Sequence, residues 1–421
     1  MKHIFLVFLA VICITQCVSD RRKPVTIKVA YHPPVSNAFA AYETSFGSAQ
    51  TGTKPEFQLW YPPLYLNSIA VTDSDYILIF DDGRIKVFNP AERRDGTEKT
   101  IVGRPGIQPE SFSRNGGRMD VSPSGYITVM SETYRRNSEV YYFCSIIDPN
   151  YTFIDKIRFT DTPMFKKFKE SQSIRRLYYS NDRIKEVFHL NDSERIFSIY
   201  RLLQGKEYEG FKKYQVFIYY ENVNQNKILA KTECTEALDV YSTISGIGYF
   251  GWGLLPDRRI VYITTDEDVH RTSDRKIESY YTIHIKSIDT ETETTITRPY
   301  EAVEYPDSMG VQYFSGSSRK NSPQTFTKVL QIFKQRRFYP SVFDVKTEGN
   351  YVFIYLTQGK NTLQTIKADV LDAKTGQFVS SVQFPAPFKA IKNGYAYDIA
   401  PNTMGFFEIR KYRLSPSVYG K

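Results

Sequence analysis

From about residue 68 onward the chain alternates between short runs rich in β-branched and aromatic residues and tight polar turns of Gly, Asn and Asp. The unit is clearest in Tyr76-Ile77-Leu78-Ile79-Phe80, then Asp81-Asp82-Gly83, then Arg84-Ile85-Lys86-Val87-Phe88. Apolar β-formers on either side of a turn that tolerates left-handed backbone predict two paired strands. The unit returns at Gly125 to Val129 with Ser145 to Asn150, and at Arg259 to Ile263 with Ile283 to Asp289. It returns again at Asn350 to Tyr355 with Ala368 to Asp372, and at Gly394 to Tyr397 with Gly405 to Tyr412. A degenerate copy spans Arg195 to Tyr200 and Tyr214 to Tyr220. A repeat of this period predicts an array. Counting copies gives units near 66–102, 118–159, 183–231, 245–298, 341–384 and 388–414. An isolated four-stranded sheet cannot bury both faces, whereas sheets set radially bury each face against the next. The expected fold is all-β: a six-bladed β-propeller of four-stranded antiparallel blades over 66–414, followed by a tail at 415–421.

Two stretches break the pattern. Within 20–65, alternating runs at 25–31 and 57–61 read as early strands, and the Ser/Ala/Gly-rich residues 35–55 between them read as a loop. The early strands are available to complete the last blade, which would remove an open sheet edge. Ser322-Pro323 supplies a cap and a first-turn proline, and Phe326, Val329, Leu330 and Phe333 then share one face. This predicts one short inserted helix near 323–337.

Residues 1–19 have the form of a signal peptide: Lys2 and His3, then an apolar run from Ile4 to Ile12 that is too short to span a bilayer. Two endings remain open. Ile14-Thr15-Gln16-Cys17 resembles a lipobox, which makes Cys17 the candidate lipidation site, while Cys17 and Ser19 also suit ordinary cleavage after Ser19. Either implies export, to the periplasm, to the outer membrane as an anchored lipoprotein, or to the medium. Membrane attachment is expected only through that N-terminal lipid. Cys144 and Cys234 are left for the folded body, too few for a disulfide framework.

The 421 residues include 32 Tyr and 29 Phe against 2 Trp, which fits sheet surfaces. The formal charge is +9, but the basic pairs are scattered among acids, so a solvated surface explains them. Nucleic acid is not expected as a partner, since no reader motif is present. A monomer is expected.

Three segments resemble a family of exported bacterial six-bladed β-propellers, distantly similar to NHL-repeat and TolB-like propellers. Ile101 to Phe112 looks like that family's Gly-rich inter-blade segment, with Gln108, Glu110 and Ser111 in place of its usual residues. Tyr281 to Ile285 with Ser287-Ile288-Asp289 and Ile296-Thr297-Arg298 looks like its paired strands, and Lys392 to Leu414 looks like its closing blade. The resemblance implies the fold and an exported or lipid-anchored location. It supplies no catalytic residues, because most of these proteins have no known function.

Candidate chemistry is sparse. Of five His, no two have helical metal spacing, and no His-Glu-x-x-His, EF-hand loop or Gly-x-Ser-x-Gly elbow occurs. The densest set of ligand-type residues is Asp266-Glu267-Asp268-Val269-His270. Asp266, Asp268 and His270 are the weak metal candidates, and calcium is the ion they would suit; no other cofactor is expected. A solvated acidic hairpin loop accounts for the same residues. The expectation is a non-catalytic binding or scaffold protein of the cell envelope, taking a protein, peptide or glycan. The alternative is a metal-assisted hydrolase or lyase with an axial site in the channel.

Overall fold

The computed structural model describes residues 39–59, 69–89, 98–106, 110–112, 118–134, 140–158, 182–203, 211–238, 244–245, 247–273, 276–305, 331, 336–358 and 365–421. The chain forms a six-bladed β-propeller. Blade one is Ile69–Val71, Ile77–Asp81, Arg84–Phe88 and Glu98–Val102; blade two is Arg118–Val121, Ile127–Tyr134, Val140–Ile147 and Phe153–Arg158. Blade three is Asp182–His189, Arg195–Leu202, Phe211–Glu221 and Asn226–Leu238, with Ile244–Ser245 added at its edge. Blade four is built on Phe250–Leu255, Arg259–Thr264, Lys276–Ser287 and Glu293–Tyr300, and blade five on Val342–Glu348, Tyr351–Leu356, Ile366–Asp372 and Gln377–Phe384. Each unit counted in the sequence corresponds to one blade.

First strands meet at the axis. Neighbouring first strands touch between blades one and two, two and three, four and five, five and six, and six and one. Between three and four, the Trp252 indole N–H donates to Glu186 Oε2 at 3.0 Å. The apolar side chains fill the wedges between blades: Leu78, Phe80, Ile85 and Val87 of blade one pack with Met119, Ile127 and Val129 of blade two. Because both faces of such strands are covered, Ile77–Asp81 is buried throughout rather than alternately. This explains the unbroken apolar runs in the sequence.

Blade six closes the ring. Ala390–Lys392, Tyr395–Pro401 and Phe407–Leu414 are joined by Ala40–Phe46, which runs antiparallel to the last of them from Ala40 opposite Leu414 to Phe46 opposite Ile409. The closing strand therefore comes from the 35–55 stretch that reads as a loop. Phe57, expected to open a strand, lies instead in the 3-10 turn Pro55–Phe57, and residues 25–31 lie outside the described residues. The local signal misleads here because Ala40, Ala41, Glu43 and Ser45 interrupt the strand formers Tyr42, Thr44 and Phe46; pairing with Phe407–Leu414 sets the conformation. The expected helix near 323–337 also lies outside the described residues, apart from 331, 336 and 337.

The turns between first and second strands recur: Thr72 N–H donates to Tyr76 C=O at 2.9 Å, and Ser122 N–H to Tyr126 C=O at 3.0 Å. Such a turn needs a left-handed residue, supplied by Asp75, Gly125, Arg258 and Asn393. The described ends of this glycine-rich segment pack on each other: Arg104–Pro105 pairs in parallel with Ser111–Phe112, and a Cβ on Gly103 would lie 2.0 Å from the Phe112 ring. Cys144 and Cys234 are buried free thiols in different blades. Among the described residues, no helix is long and apolar enough to cross a membrane.

Candidate functional site

Antiparallel blades give the propeller two unlike faces. The short turns between first and second strands all emerge on one, here called the turn face. Links between second and third strands, and between blades, emerge on the other, the link face.

On the link face a cavity of about 530 Å³ lies where blades three, four and five meet. Its walls are Lys213, Glu233, Ile247, Thr265 to Asp268, His270, Arg336, Phe338 and Tyr339. The acidic segment is a break within the second strand of blade four rather than a hairpin loop. Arg259–Thr264 precedes it, Val269–Ser273 follows it, and both pair with the same long strand, Lys276–Ser287. The 3-10 turn Thr265–Glu267 fills the break. Gly248 lets the entering chain pass: a Cβ there would lie 2.0 Å from the Thr235 carbonyl oxygen.

The two aspartates of the break face opposite neighbours. Asp266 accepts from the Thr235 N–H at 3.2 Å and hydroxyl at 2.9 Å, tying blade four back to blade three. Asp268 accepts from the Ser341 N–H at 2.9 Å and hydroxyl at 2.7 Å, tying it forward to blade five. Burial pushes the Asp268 carboxyl up to about 7, against the pull of the Ser341 hydrogen bonds. Arg336 donates to the Ile247 carbonyl at 2.6 Å, and Lys213 pairs with Glu233 at 2.6 Å.

The aromatic wall is His270 stacked on Phe338, ring centres 4.3 Å apart, with Tyr339 against Tyr305 at 4.1 Å. His270 Nδ1 bonds the Ser279 hydroxyl at 2.8 Å, and burial, then the Arg337 charge, lowers its pKa. Behind the wall, His284 sits between Glu267 at 2.7 Å and Glu293 at 2.8 Å and stacks on Tyr262. Burial would lower the His284 pKa, but the two carboxylates outweigh it and hold it above its ordinary value.

At the axis a second polar network joins three blades. Arg118 pairs with Glu186 at 2.6 Å and donates from Nε to Asp120 at 3.3 Å; Ser198 and Trp252 also donate to Glu186. Burial would raise the Glu186 pKa, but Arg118 and these donors hold it below its ordinary value. Burial raises Asp120 despite Arg118.

Asp266, Asp268 and His270, singled out in the sequence, thus line one cavity, and each is engaged by a protein partner. Among the described residues, no group of three or more His, Cys, Asp and Glu is arranged to hold a metal ion. Cys17 lies outside the described residues. Lys213, Glu233, Arg336 and Phe338 carried no signal in the sequence, since they reach the cavity from strands and links far away along the chain.

No protein-family model and no curated protein sequence matches this chain. Solved structures do resemble it. The crystal structure of polysaccharide lyase Uly1 has 12% identity and a TM-score of 0.41, covering 82% of this chain and 77% of that one. The β-propeller domain of the Trilobed protease from Pyrococcus furiosus, described as having an open velcro topology, has 8% identity and a TM-score of 0.35 over 83% of this chain and 92% of that one. The Pyrococcus horikoshii acylaminoacyl peptidase has 9% identity and a TM-score of 0.36 over 80% of this chain and 42% of that one. At such values no activity carries over from these proteins.

Proposed function

We propose that this chain is a non-catalytic binding propeller, exported to the cell envelope, that takes a peptide or glycan segment in the link-face cavity. One observation carries the reading: the cavity has the volume of a ligand site, and its charged lining is fixed by protein partners on all sides. Fixed donors and acceptors beside an aromatic wall recognise a polar ligand by shape and hydrogen bonds at little entropic cost. Export rests on the residue pattern of 1–19.

The test is binding of the purified chain to arrays of peptides and glycans, repeated with Tyr339→Ala and Glu233→Gln. A ligand whose affinity falls about tenfold or more in both variants supports the proposal. A ligand bound equally by all three proteins places the function elsewhere, and turnover of any bound ligand refutes a non-catalytic role.

A further inference from the structure

Elements of blade four converge on His284, behind the aromatic wall of the link-face cavity. Its Nε2 is 2.7 Å from Glu267 on the 3-10 turn, and its Nδ1 is 2.8 Å from Glu293 on the fourth strand. The ring lies flat on Tyr262 of the second strand, with centres 4.5 Å apart and planes 6° from parallel. The Tyr262 hydroxyl donates to Glu293 at 2.7 Å, and Lys286, two positions along the strand that carries His284, reaches Glu293 at 3.7 Å. Glu267, Glu293, Tyr262 and Lys286 are thus the charged and titratable groups around the ring among the described residues.

A carboxylate can only accept, so each of the two bonds needs an N–H on the ring. The imidazolium supplies two, the neutral ring only one. The arrangement is complete in a single protonation state. Burial works against that state, but the two carboxylates outweigh it and hold the His284 pKa above 6.5. Loss of the proton leaves one ring nitrogen aiming a lone pair at a carboxylate. Which carboxylate yields follows from their other partners. Glu293 keeps Tyr262 and Lys286. Glu267 has no other hydrogen bond or ion pair among the described residues, its side chain is 39% exposed, and it lines the cavity.

We propose that His284 is a proton-operated clamp on the cavity wall: protonated, it holds Glu267 against blade four, and neutral, it lets that carboxylate turn into the cavity. The neutral ring keeps its N–H on Nδ1, facing Glu293, and Nε2 becomes an acceptor. Below the transition the imidazolium matches the Glu267 charge. Above it the wall carries a free carboxylate, and the cavity gains affinity for ammonium and guanidinium groups. That last consequence, control over what the cavity captures, rests on the link-face cavity being the ligand site proposed above.

Two measurements on the full chain, with no ligand added, test the clamp. Imidazole nitrogen chemical shifts followed from about pH 5 to about pH 9 should show both His284 nitrogens protonated at the acid end. Their midpoint should lie above 6.5 and fall in Glu267→Gln, with His284→Gln identifying the signals. Crystal structures near the two ends of that range should show Glu267 on His284 in acid and turned into the cavity in base. In Glu293→Gln the amide can donate to Nδ1, so the neutral ring keeps its proton on Nε2 and Glu267 should stay in place at both ends. A wild-type Glu267 that holds its position in base, or a wild-type His284 midpoint at or below 6.5, overturns the proposal, and neither result depends on a variant folding. Movement of Glu267 in Glu293→Gln overturns it as well. Because no ligand enters, a failed search for cavity ligands counts against the reading above and leaves the clamp standing.

Discussion

Asp268 and Ser341 are joined by two hydrogen bonds, at 2.9 Å from the N–H and 2.7 Å from the hydroxyl, so one carboxylate fixes where blade five begins relative to blade four. Two residues earlier, Asp266 does the same toward blade three through Thr235. The break in the second strand of blade four is therefore a staple across three blades, and the cavity wall is set by it.

Asp268→Asn should lower the melting temperature, since the amide can accept only one of the two Ser341 donors; a lost bond of this kind costs about 1–3 kcal/mol. The pH dependence is diagnostic. The folded Asp268 carboxyl sits at about 7 against an unfolded value near 3.8, so the folded state holds its proton longer. The resulting stability is full below pH 4 and lost as pH rises through 7. The gap between wild type and Asp268→Asn in urea melts should narrow over that window; a constant gap would show that the carboxyl titrates normally.

His189 has the opposite sign. It is 3% exposed, and burial, with the Arg195 charge adding to it, outweighs the backbone of Asn191 and pulls its pKa from 6.5 to about 4. The unfolded chain binds the proton more readily, so stability is present above pH 6.5 and lost as pH falls toward 4. Between pH 7 and 4.5 the wild type should lose about 2 kcal/mol from this residue. His189→Leu should remove that loss, read as the difference between urea midpoints of the two proteins at the two pH values.

Lys86 is 1% exposed and donates to Asp81 and to the Gln58 carbonyl, pinning the segment after Ala40–Phe46 onto blade one. Lys86→Met leaves the Asp81 carboxylate buried without that partner and should cost roughly 3–5 kcal/mol. Lys86→Met/Asp81→Asn should recover part of it. In both variants limited proteolysis should cut sooner within 47–59, because the pin is gone.

Gly253 sits where first strands of blades four and five approach, and a Cβ there would lie 2.6 Å from Thr347 Cγ2. Gly253→Ala should destabilise by about 1–3 kcal/mol, as overpacking does. Thr347→Ser, which removes that methyl, should restore much of the loss when combined with it. Thermal melts of the two single variants and the double variant decide, and simple additivity would mean the two residues do not collide.

How much of this the sequence carried depends on whether the signal is local. Runs such as Tyr76 to Phe88 declare strand, turn and strand within thirteen positions of each other, so all six blades were legible. Ala40–Phe46 was not, because its strand formers are interrupted by Ala, Glu and Ser and the edge strand is held by a partner far along the chain. Pro55 and the buried Phe57 and Leu59 gave an apolar run the look of a strand where the chain makes a 3-10 turn. Asp266, Asp268 and His270 stood out because they are neighbours in sequence. Their destinations did not, since Thr235, Ser341 and Phe338 come from three other parts of the chain, and the staple exists only once the blades are side by side.

The pairing of Ala40 with Leu414 also sets a timetable. A ribosome must release Phe407–Leu414 before the ring can shut, so during synthesis Ala40–Phe46 waits without its pairing partner while the newest blade presents an open edge. Contacts so distant in sequence form slowly, and open edges invite pairing with other chains in the interval. The nascent propeller is thus most exposed to misassembly just before its last strand emerges, and the helpers it needs, if any, are those that shield sheet edges.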